Sequence, residues 1–529
     1  MKSINNNYLL KKLLPILAVY LLIFIIFTPQ KYNFPSNDDW VYSYTITNYY
    51  ETGSIKLNDW CAASAIFQIW WGILFSKIFG YSLGVLRLSV LILSLTGSIF
   101  MYLMLKQLNY KNKLIPLLFF IFNPLYFILS LSFMTDVPYL VLFILSVYFY
   151  LTGLNGKPGY LITGSIFAGF AYLIRQLGIL IPFTVIVYLF IFDRQKISLK
   201  NVLNILLIPV VVAGGHYYWY LFIHGKTWVD KAGLVSGLSF NSIYSRVLSV
   251  LVYIGLFTLP AGFIVRNKKN TPLKYTGIVF VFVLTTIIFI HILFYGFLPY
   301  IDNTLHKTGL GTITISGLNL KPAGIMSFQH FWVIITILSV FNLLILFRNS
   351  LKNLFSKEEL FVIFCTLVQM AVSIIRFKFF DRYLLVILPV SVILTAKYIN
   401  YHKIYNKLII ALSLILVILF SFAGTKDYFS WNEAKWTLGN KLVAEFGYKA
   451  NEFANGFDWD GYHTFQPNIE KLQKIKEAKA IGDWEWQSLN PYKALISYRN
   501  DYPAEKYIAE TDYFNWLNLK HEKIYAWRL

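Results

Sequence analysis

The feature that most constrains this chain is a run of apolar blocks, each near the ~20 residues that a helix needs to cross a bilayer. The first is Leu13–Thr28, preceded by Lys11 and Lys12. Further blocks start near Leu83, Leu114, Val137, Tyr160, Gly178, Val202, Val247, Tyr275, Phe328, Leu360, Tyr383 and Leu408. Together they predict about thirteen spans. The first block reads as an uncleaved span, not a signal peptide. Pro29-Gln30-Lys31-Tyr32 follows it, and no small-residue cleavage site is present. The stretch Tyr160–Phe192 reads as a tight hairpin broken near Arg175 and Gly178. Such a chain is 57% hydrophobic and only 14% charged, against about 25% charged in soluble domains. A soluble enzyme and a disordered chain are both excluded.

The charge pattern orients the bundle. The net charge is 47 − 26 = +21. Residues 1–423 hold 33 Lys+Arg against 11 Asp+Glu, and residues 424–529 hold 14 against 15. The basic excess therefore belongs to the loops between spans, not to a nucleic-acid surface. Lys106, Lys111 and Lys113 share one connection; Arg194, Lys196 and Lys200 share another. Arg266, Lys268, Lys269 and Lys274 form a third, and Arg348, Lys352 and Lys357 a fourth. The positive-inside rule then predicts a multi-pass protein of the plasma (inner) membrane, with a cytoplasmic N-terminus and an extracytoplasmic C-terminus.

Three stretches face outward on this map. Gln30–Tyr81 is aromatic and broken by polar residues, and reads as amphipathic helices on the membrane surface. Tyr300–Ser327, with Gly309, Gly311, Gly317 and Gly324, reads as a mobile loop. Residues 425–529 form a polar segment of domain size. It is expected to open with a helix, Trp431–Phe446, and to pack around Trp459, Trp484, Trp486, Trp516 and Trp527. The expected architecture is an all-α polytopic membrane domain, 1–424, followed by a small α/β extracytoplasmic domain, 425–529. The only two cysteines, Cys61 and Cys365, make neither a disulfide scaffold nor a cysteine metal site.

Acidic residues are scarce in the membrane part, so each one is informative. Asp38 and Asp39 stand together in NDDWVY, just past the first span, and Asp136 sits in MTDVPY at a short outward turn. A carboxylate at a bilayer surface can take a proton from a hydroxyl or amine nucleophile. Two neighbouring carboxylates can raise one another's pKa or hold a divalent cation. The plain alternative makes Asp38 and Asp136 helix-start residues. Arg175 interrupts the apolar run YLIRQLGIL, and Arg376, Lys378 and Arg382 cluster in IRFKFFDRYLL. An arginine at membrane depth faces a cavity or a partner, and its planar fork suits phosphate oxygens. For Arg382 the plain alternative is a local pair with Asp381. The scattered His216, His224, His291, His306 and His330 have no metal-ligand spacing. Neither a P-loop nor a dinucleotide fingerprint is present, and Gly-x-Ser-x-Gly is absent too.

These residues, taken in order, resemble the GT-C glycosyltransferases, in the branch that contains the lipid A aminoarabinose transferases and protein O-mannosyltransferases. Asp38-Asp39-Trp40-Val41-Tyr42 is similar to the Asp-Glu-x-x-Tyr of that branch's first outer loop. Tyr50-Glu51-Thr52-Gly53, Phe79-Gly80 and Leu86-Arg87-Leu88-Ser89 follow. Thr135-Asp136-Val137-Pro138 resembles the second acidic site, and Arg382-Tyr383-Leu384-Leu385 with Pro389 resembles the RYLLPLLP element. Where many members carry a Lys-Pro pair after the first-loop helix, this chain has Trp60-Cys61-Ala62-Ala63.

The resemblance implies a sugar donor linked to polyprenyl phosphate and an extracytoplasmic acceptor: a glycolipid, polysaccharide or protein. It implies Asp38 as general base, Asp39 as its neighbour, and Asp136 as an organiser of the site. It implies Arg382 and Tyr383, with Arg175, at the lipid phosphate, and the basic cluster adds Lys378 as a further phosphate-binding candidate. No cofactor is implied with certainty, and the metal requirement is left open; a divalent cation is compatible with the carboxylates. Two rival readings are a lipid-carrier flippase or polysaccharide transporter, and a non-catalytic membrane scaffold. A transporter calls for polar residues through the span interiors and internal symmetry. Here the ionisable residues gather at one surface and no repeat is evident.

Overall fold

The computed structural model describes residues 6–232, 240–265, 275–301, 303–315, 324–376 and 378–529. Arg266, Lys268, Lys269, Lys274 and Gly317 lie outside the described residues.

Apolar length dictates helices, because a backbone in hydrocarbon must satisfy its own polar groups. Among the described residues, seven helices are long and apolar enough to cross a membrane. Four shorter apolar helices join them: Ile66–Phe79, Gly159–Ile174, Gln176–Phe192 and Asn241–Phe257. Helical chain underlies the expected spans, but the one placed near Val247 is shifted to Phe240–Phe257, the one near Gly178 opens with a 3-10 turn, Gln176–Ile179, and two more are assembled from short pieces. The block from Leu114 is Leu114–Ile121 followed by Pro124–Ser130. The break falls at Asn123, whose side chain accepts from the amides of Leu125 and Tyr126, while Pro124 opens the second piece. The block from Tyr383 is a 3-10 turn, Asp381–Ile387, followed by Leu388–Tyr398 with Pro389 in its first turn. Elsewhere starts are set by hydroxyl caps: Ser82, Ser198 and the Ser356–Glu359 capping box.

Burial ranks the helices. Asp136–Leu154 is the axis of the bundle, 83% of its apolar window being buried, and Leu83–Gln107 packs beside it. Leu199–His224 and Gly277–Tyr295 are only 11% buried and present apolar side chains outward, as lipid-facing helices do. Polar side chains inside the bundle pair with each other: the Tyr20 hydroxyl lies 2.7 Å from Ser94 and 2.8 Å from Ser98, and Ser94 bonds Tyr126. Cys61 and Cys365 are both buried and free.

Beyond the bundle, the chain folds into a four-stranded sheet in the order Phe453–Ala454, Ala494–Ser497, Lys520–Arg528, Tyr507–Asn515. The first pair is parallel and the others antiparallel. Trp459, Trp486 and Trp527 are buried in this unit, whereas Trp484 and Trp516 are exposed. No break marks Gly424: a single helix runs from Ile404 to Ala444. The separate helix expected at Trp431 is the C-terminal part of this one. Nothing interrupts it because Gly424 is a lone glycine inside a helical run, and its bare Cα lets Leu310 approach.

The expected mobile loop is packed where it is described. Leu305–His306 and Gly309–Leu310 pair as a short hairpin. Gly311, at φ +94°, lies flat against the Tyr428 ring, and any Cβ there would overlap it. Thr314 donates to Asp458 at 2.8 Å. Lys435 also binds Asp458, and both are fully buried.

Candidate active site

Asp38 is placed by Asn37, a residue type that tolerates the left-handed conformation it adopts here (φ 53°). Asp38 precedes the helix Asp39–Thr52, yet its side chain makes no capping bond. Instead its Oδ2 lies 3.2 Å from Nη2 of Arg382. The plain helix-cap alternative is thereby set aside. Burial pushes the Asp38 carboxyl above its ordinary pKa, and the charge of Arg382 opposes that rise.

Arg382 is delivered by the 3-10 turn Asp381–Ile387. Asp381 does not pair with it: the Asp381 carboxylate accepts from the amides of Thr304 (2.7 Å) and Leu305 (2.6 Å). Arg382 is thus left for the site, where its Nε also stands 4.0 Å from Oδ1 of Asp136.

Asp136 heads the most buried helix, and its Oδ1 pairs with Nη2 of Arg175 at 2.8 Å. Its Oδ2 has no hydrogen bond among the described residues. Arg175 stands at the break between Gly159–Ile174 and the turn Gln176–Ile179, in extended backbone. The reversal requires Gly178, where an added Cβ would sit 2.2 Å from the amide nitrogen of Tyr172. Ile174 accepts from the amide of Ala65 at 3.1 Å, which ties this break to the helix Ile66–Phe79. Thr135 then accepts from both Nε (3.1 Å) and Nη2 (2.9 Å) of Arg175.

Tyr383 lies among three guanidiniums: Arg175 at 5.4 Å from its ring centroid, Arg376 at 5.8 Å and Arg382 at 6.0 Å. Such contacts favour a cation over the ring face. Arg376 forms no ion pair among the described residues. Asp38 and Asp136 thus pair with Arg382 and Arg175, and Arg376 adds a third guanidinium around Tyr383, an arrangement suited to an anionic ligand.

Two of the residues expected in the site lie apart from this cluster. Asp39 is buried behind it. Its oxygens accept from the amides of Ser36 (3.2 Å) and Phe133 (2.9 Å), with Nε of Arg87 at 3.9 Å. Burial pushes its carboxyl up to about 7, against the pull of Arg87 and the two amides. Arg87 is itself enclosed. It donates to the carbonyls of Tyr32 and Phe34 and to Ser36, and lies on the Phe34 ring. Adjacent in sequence, Asp38 and Asp39 are thus directed to different partners. Lys378 reaches away from the cluster to Asp483, 3.2 Å off. Among the described residues no three of His, Cys, Asp and Glu converge as a metal site would require.

Sequence reasoning gave no role to Thr135, and named Arg376 only as a member of a basic cluster. Thr135 precedes Asp136 in the quoted motif, and Arg376 stands in the basic cluster with Lys378 and Arg382. What the sequence does not carry is which cluster member turns inward.

Residues 64–219 match the dolichyl-phosphate-mannose-protein mannosyltransferase family. Asp136, Thr135 and Arg175 fall inside that segment; Asp38 and Arg382 fall outside it. No curated protein matches the chain. Two solved structures are similar at low level. One is ArnT from Cupriavidus metallidurans bound to undecaprenyl phosphate: 12% identity, 98% of each chain covered, TM-score 0.43. The other is the same protein in the apo state: 14% identity, 97% of this chain and 98% of that one, TM-score 0.41. Residues 64–219 are thus similar to a family of GT-C-superfamily membrane glycosyltransferases, the group that the ordered motifs resemble.

Proposed function

We propose that this protein moves a sugar from a polyprenyl-phosphate-linked donor to an extracytoplasmic acceptor, a glycolipid, polysaccharide or protein, with Asp38 as general base. The observation that carries the reading is the Asp38–Arg382–Asp136–Arg175 chain of charges at one end of the bundle. A lipid-linked sugar offers its phosphate at the membrane surface while its tail stays in hydrocarbon. In the resting site Arg382 is held by Asp38. An arriving phosphate competes for that guanidinium and releases the carboxylate. The acceptor O–H then gives its proton to Asp38 as its oxygen bonds to the anomeric carbon. The bond from that carbon to the phosphate oxygen breaks, and polyprenyl phosphate leaves with the added negative charge. Arg382, Arg175 and Arg376 are preformed cations for that charge. Asp136 positions Arg175 and Arg382, and residues 425–529 form the outer domain.

The test is a transfer assay with purified protein in proteoliposomes, offered a panel of polyprenyl-phosphate sugars and envelope acceptors. Release of polyprenyl phosphate by the parent and not by Asp38→Asn is expected. Movement of intact lipid-linked sugar across the bilayer without release, for every member of the panel, would replace transfer by transport.

A further inference from the structure

A second charged feature lies at the other end of the bundle. The helix Leu83–Gln107 has 25 residues, so about 37 Å separates its two ends. Arg87, behind the candidate active site, is near the first end; Lys106 is at the second. There the structure opens a cleft of about 540 Å³ lined by Lys11, Lys12, Lys106, Lys111 and Lys113, with no acidic residue in its wall. Among the described residues Lys11, Lys106, Lys111 and Lys113 form no ion pair. Holding these four ammonium groups around one cleft is unfavourable. Burial and the like charges of Lys106 and Lys12 together depress the pKa of Lys113. The cleft also has an apolar side: Leu114 in its wall is exposed, and the first helix, which supplies Lys11, Lys12 and Pro15 to that wall, exposes Leu14, Leu17 and Leu21 just beyond them.

We propose that this lysine cleft is a binding site for the phosphate head of an anionic membrane phospholipid, whose acyl chains lie along Leu14, Leu17 and Leu21. The shared chemistry is a phosphate ester among ammonium groups. The adjoining exposed leucines favour a lipid over free phosphate, because inorganic phosphate has no use for an apolar flank. Basic pockets between spanning helices recognise anionic head groups in this way. The alternative is a set of independently solvated lysines, which predicts no selectivity among ligands.

The test uses the purified full-length protein in neutral detergent, offered phosphatidylglycerol, phosphatidylcholine or inorganic phosphate. The readouts are lipid retained in native mass spectra and the shift of the thermal midpoint. Phosphatidylglycerol is expected to be retained at least about tenfold more than phosphatidylcholine, and to raise the midpoint where inorganic phosphate at equal concentration does not. The triple change Lys106→Gln, Lys111→Gln, Lys113→Gln should abolish the selectivity; the matching triple change to Arg should keep it. Equal retention of both lipids, or selectivity that survives the Gln triple, overturns the proposal. Protection by inorganic phosphate equal to that by phosphatidylglycerol overturns the lipid assignment. Should the Gln triple fail to fold, the comparison of ligands on the parent and the Arg triple still decides. None of these readouts depends on glycosyl transfer.

Discussion

Arg382 and Asp38, 382 − 38 = 344 residues apart in the chain, form an ion pair of 3.2 Å at the mouth of the bundle, and Arg382 leans on to Asp136 behind it. The arginine is thus shared between the base and its organiser before any substrate arrives.

Replacing Asp38 by Asn keeps the size and removes the basic oxygen. Transfer is expected to fall by about 10²–10⁴-fold with normal expression. The parent's rate should also fall as pH drops through the folded-state pKa of Asp38, which burial has raised above the ordinary carboxylate value. Initial rates across pH check both; a fully active Asp38→Asn enzyme removes Asp38 from the mechanism.

Arg382→Ala is expected to cut kcat/KM for the donor far more than Lys357→Ala, a change remote from the cluster. Arg382→Lys should restore it only in part, because a point charge cannot span Asp38 and Asp136 as a fork does. Donor kinetics that are equal in all three variants would make the arginine structural.

Asp39 should behave as a stability residue. Its folded pKa of about 7 lies above the ordinary 3.8, so the folded state binds more protons between those values. The contribution of this group to stability is full below about pH 4 and is lost as pH rises toward 7. Thermal midpoints across that window should carry this downward slope in the parent and lose it in Asp39→Asn. The same variant should be less stable by about 1–3 kcal/mol, because the amides of Ser36 and Phe133 no longer both meet an acceptor.

Gly178→Ala places a methyl where the backbone of Ala171 and Tyr172 already stands. Neither neighbour is a flexible side-chain end, so the reversal must open and carry Arg175 away from Asp136. A loss of about 1–3 kcal/mol in stability is expected, with weaker donor use. A Gly178→Ala protein that matches the parent in midpoint and rate would contradict this packing.

Orientation has its own test. A reporter active only in the cytoplasm, fused after Leu529, is expected to be silent if residues 425–529 are extracytoplasmic. A strong signal would reverse the map drawn from the loop lysines and arginines.

Apolar length made the bundle legible, and so did the scarcity of acidic residues at membrane depth. Asp38, Asp136, Arg175 and Arg382 stood out because hydrocarbon makes isolated charges costly, and the structure brings those four together. Charge alone did not separate Asp38 from Asp39. Their different fates follow from Arg87, which approaches Asp39 from a helix that sequence spacing does not relate to it. Lys378 looked like a site cation because it lies between Arg376 and Arg382 in sequence. Its partner, Asp483, lies 105 residues further along the chain, and long-range pairing of that kind leaves no local pattern. The run through Gly424 was hidden for the opposite reason. Composition changes there from apolar to polar, while the helix is indifferent to which medium surrounds it.

That helix has a mechanical consequence. At 41 residues, Ile404–Ala444 extends about 60 Å as one shaft, anchored among lipid-facing leucines at one end and gripped by Asp458 through Lys435 at the other. A shaft transmits phase. One residue inserted near Ile418 would turn everything beyond it by about 100° and advance it by about 1.5 Å. Tyr428 would swing off Gly311, and Lys435 off Asp458, without a single contact residue having been changed. The length of this one helix, counted to the residue, therefore sets the angle at which the four-stranded sheet faces the mouth of the bundle.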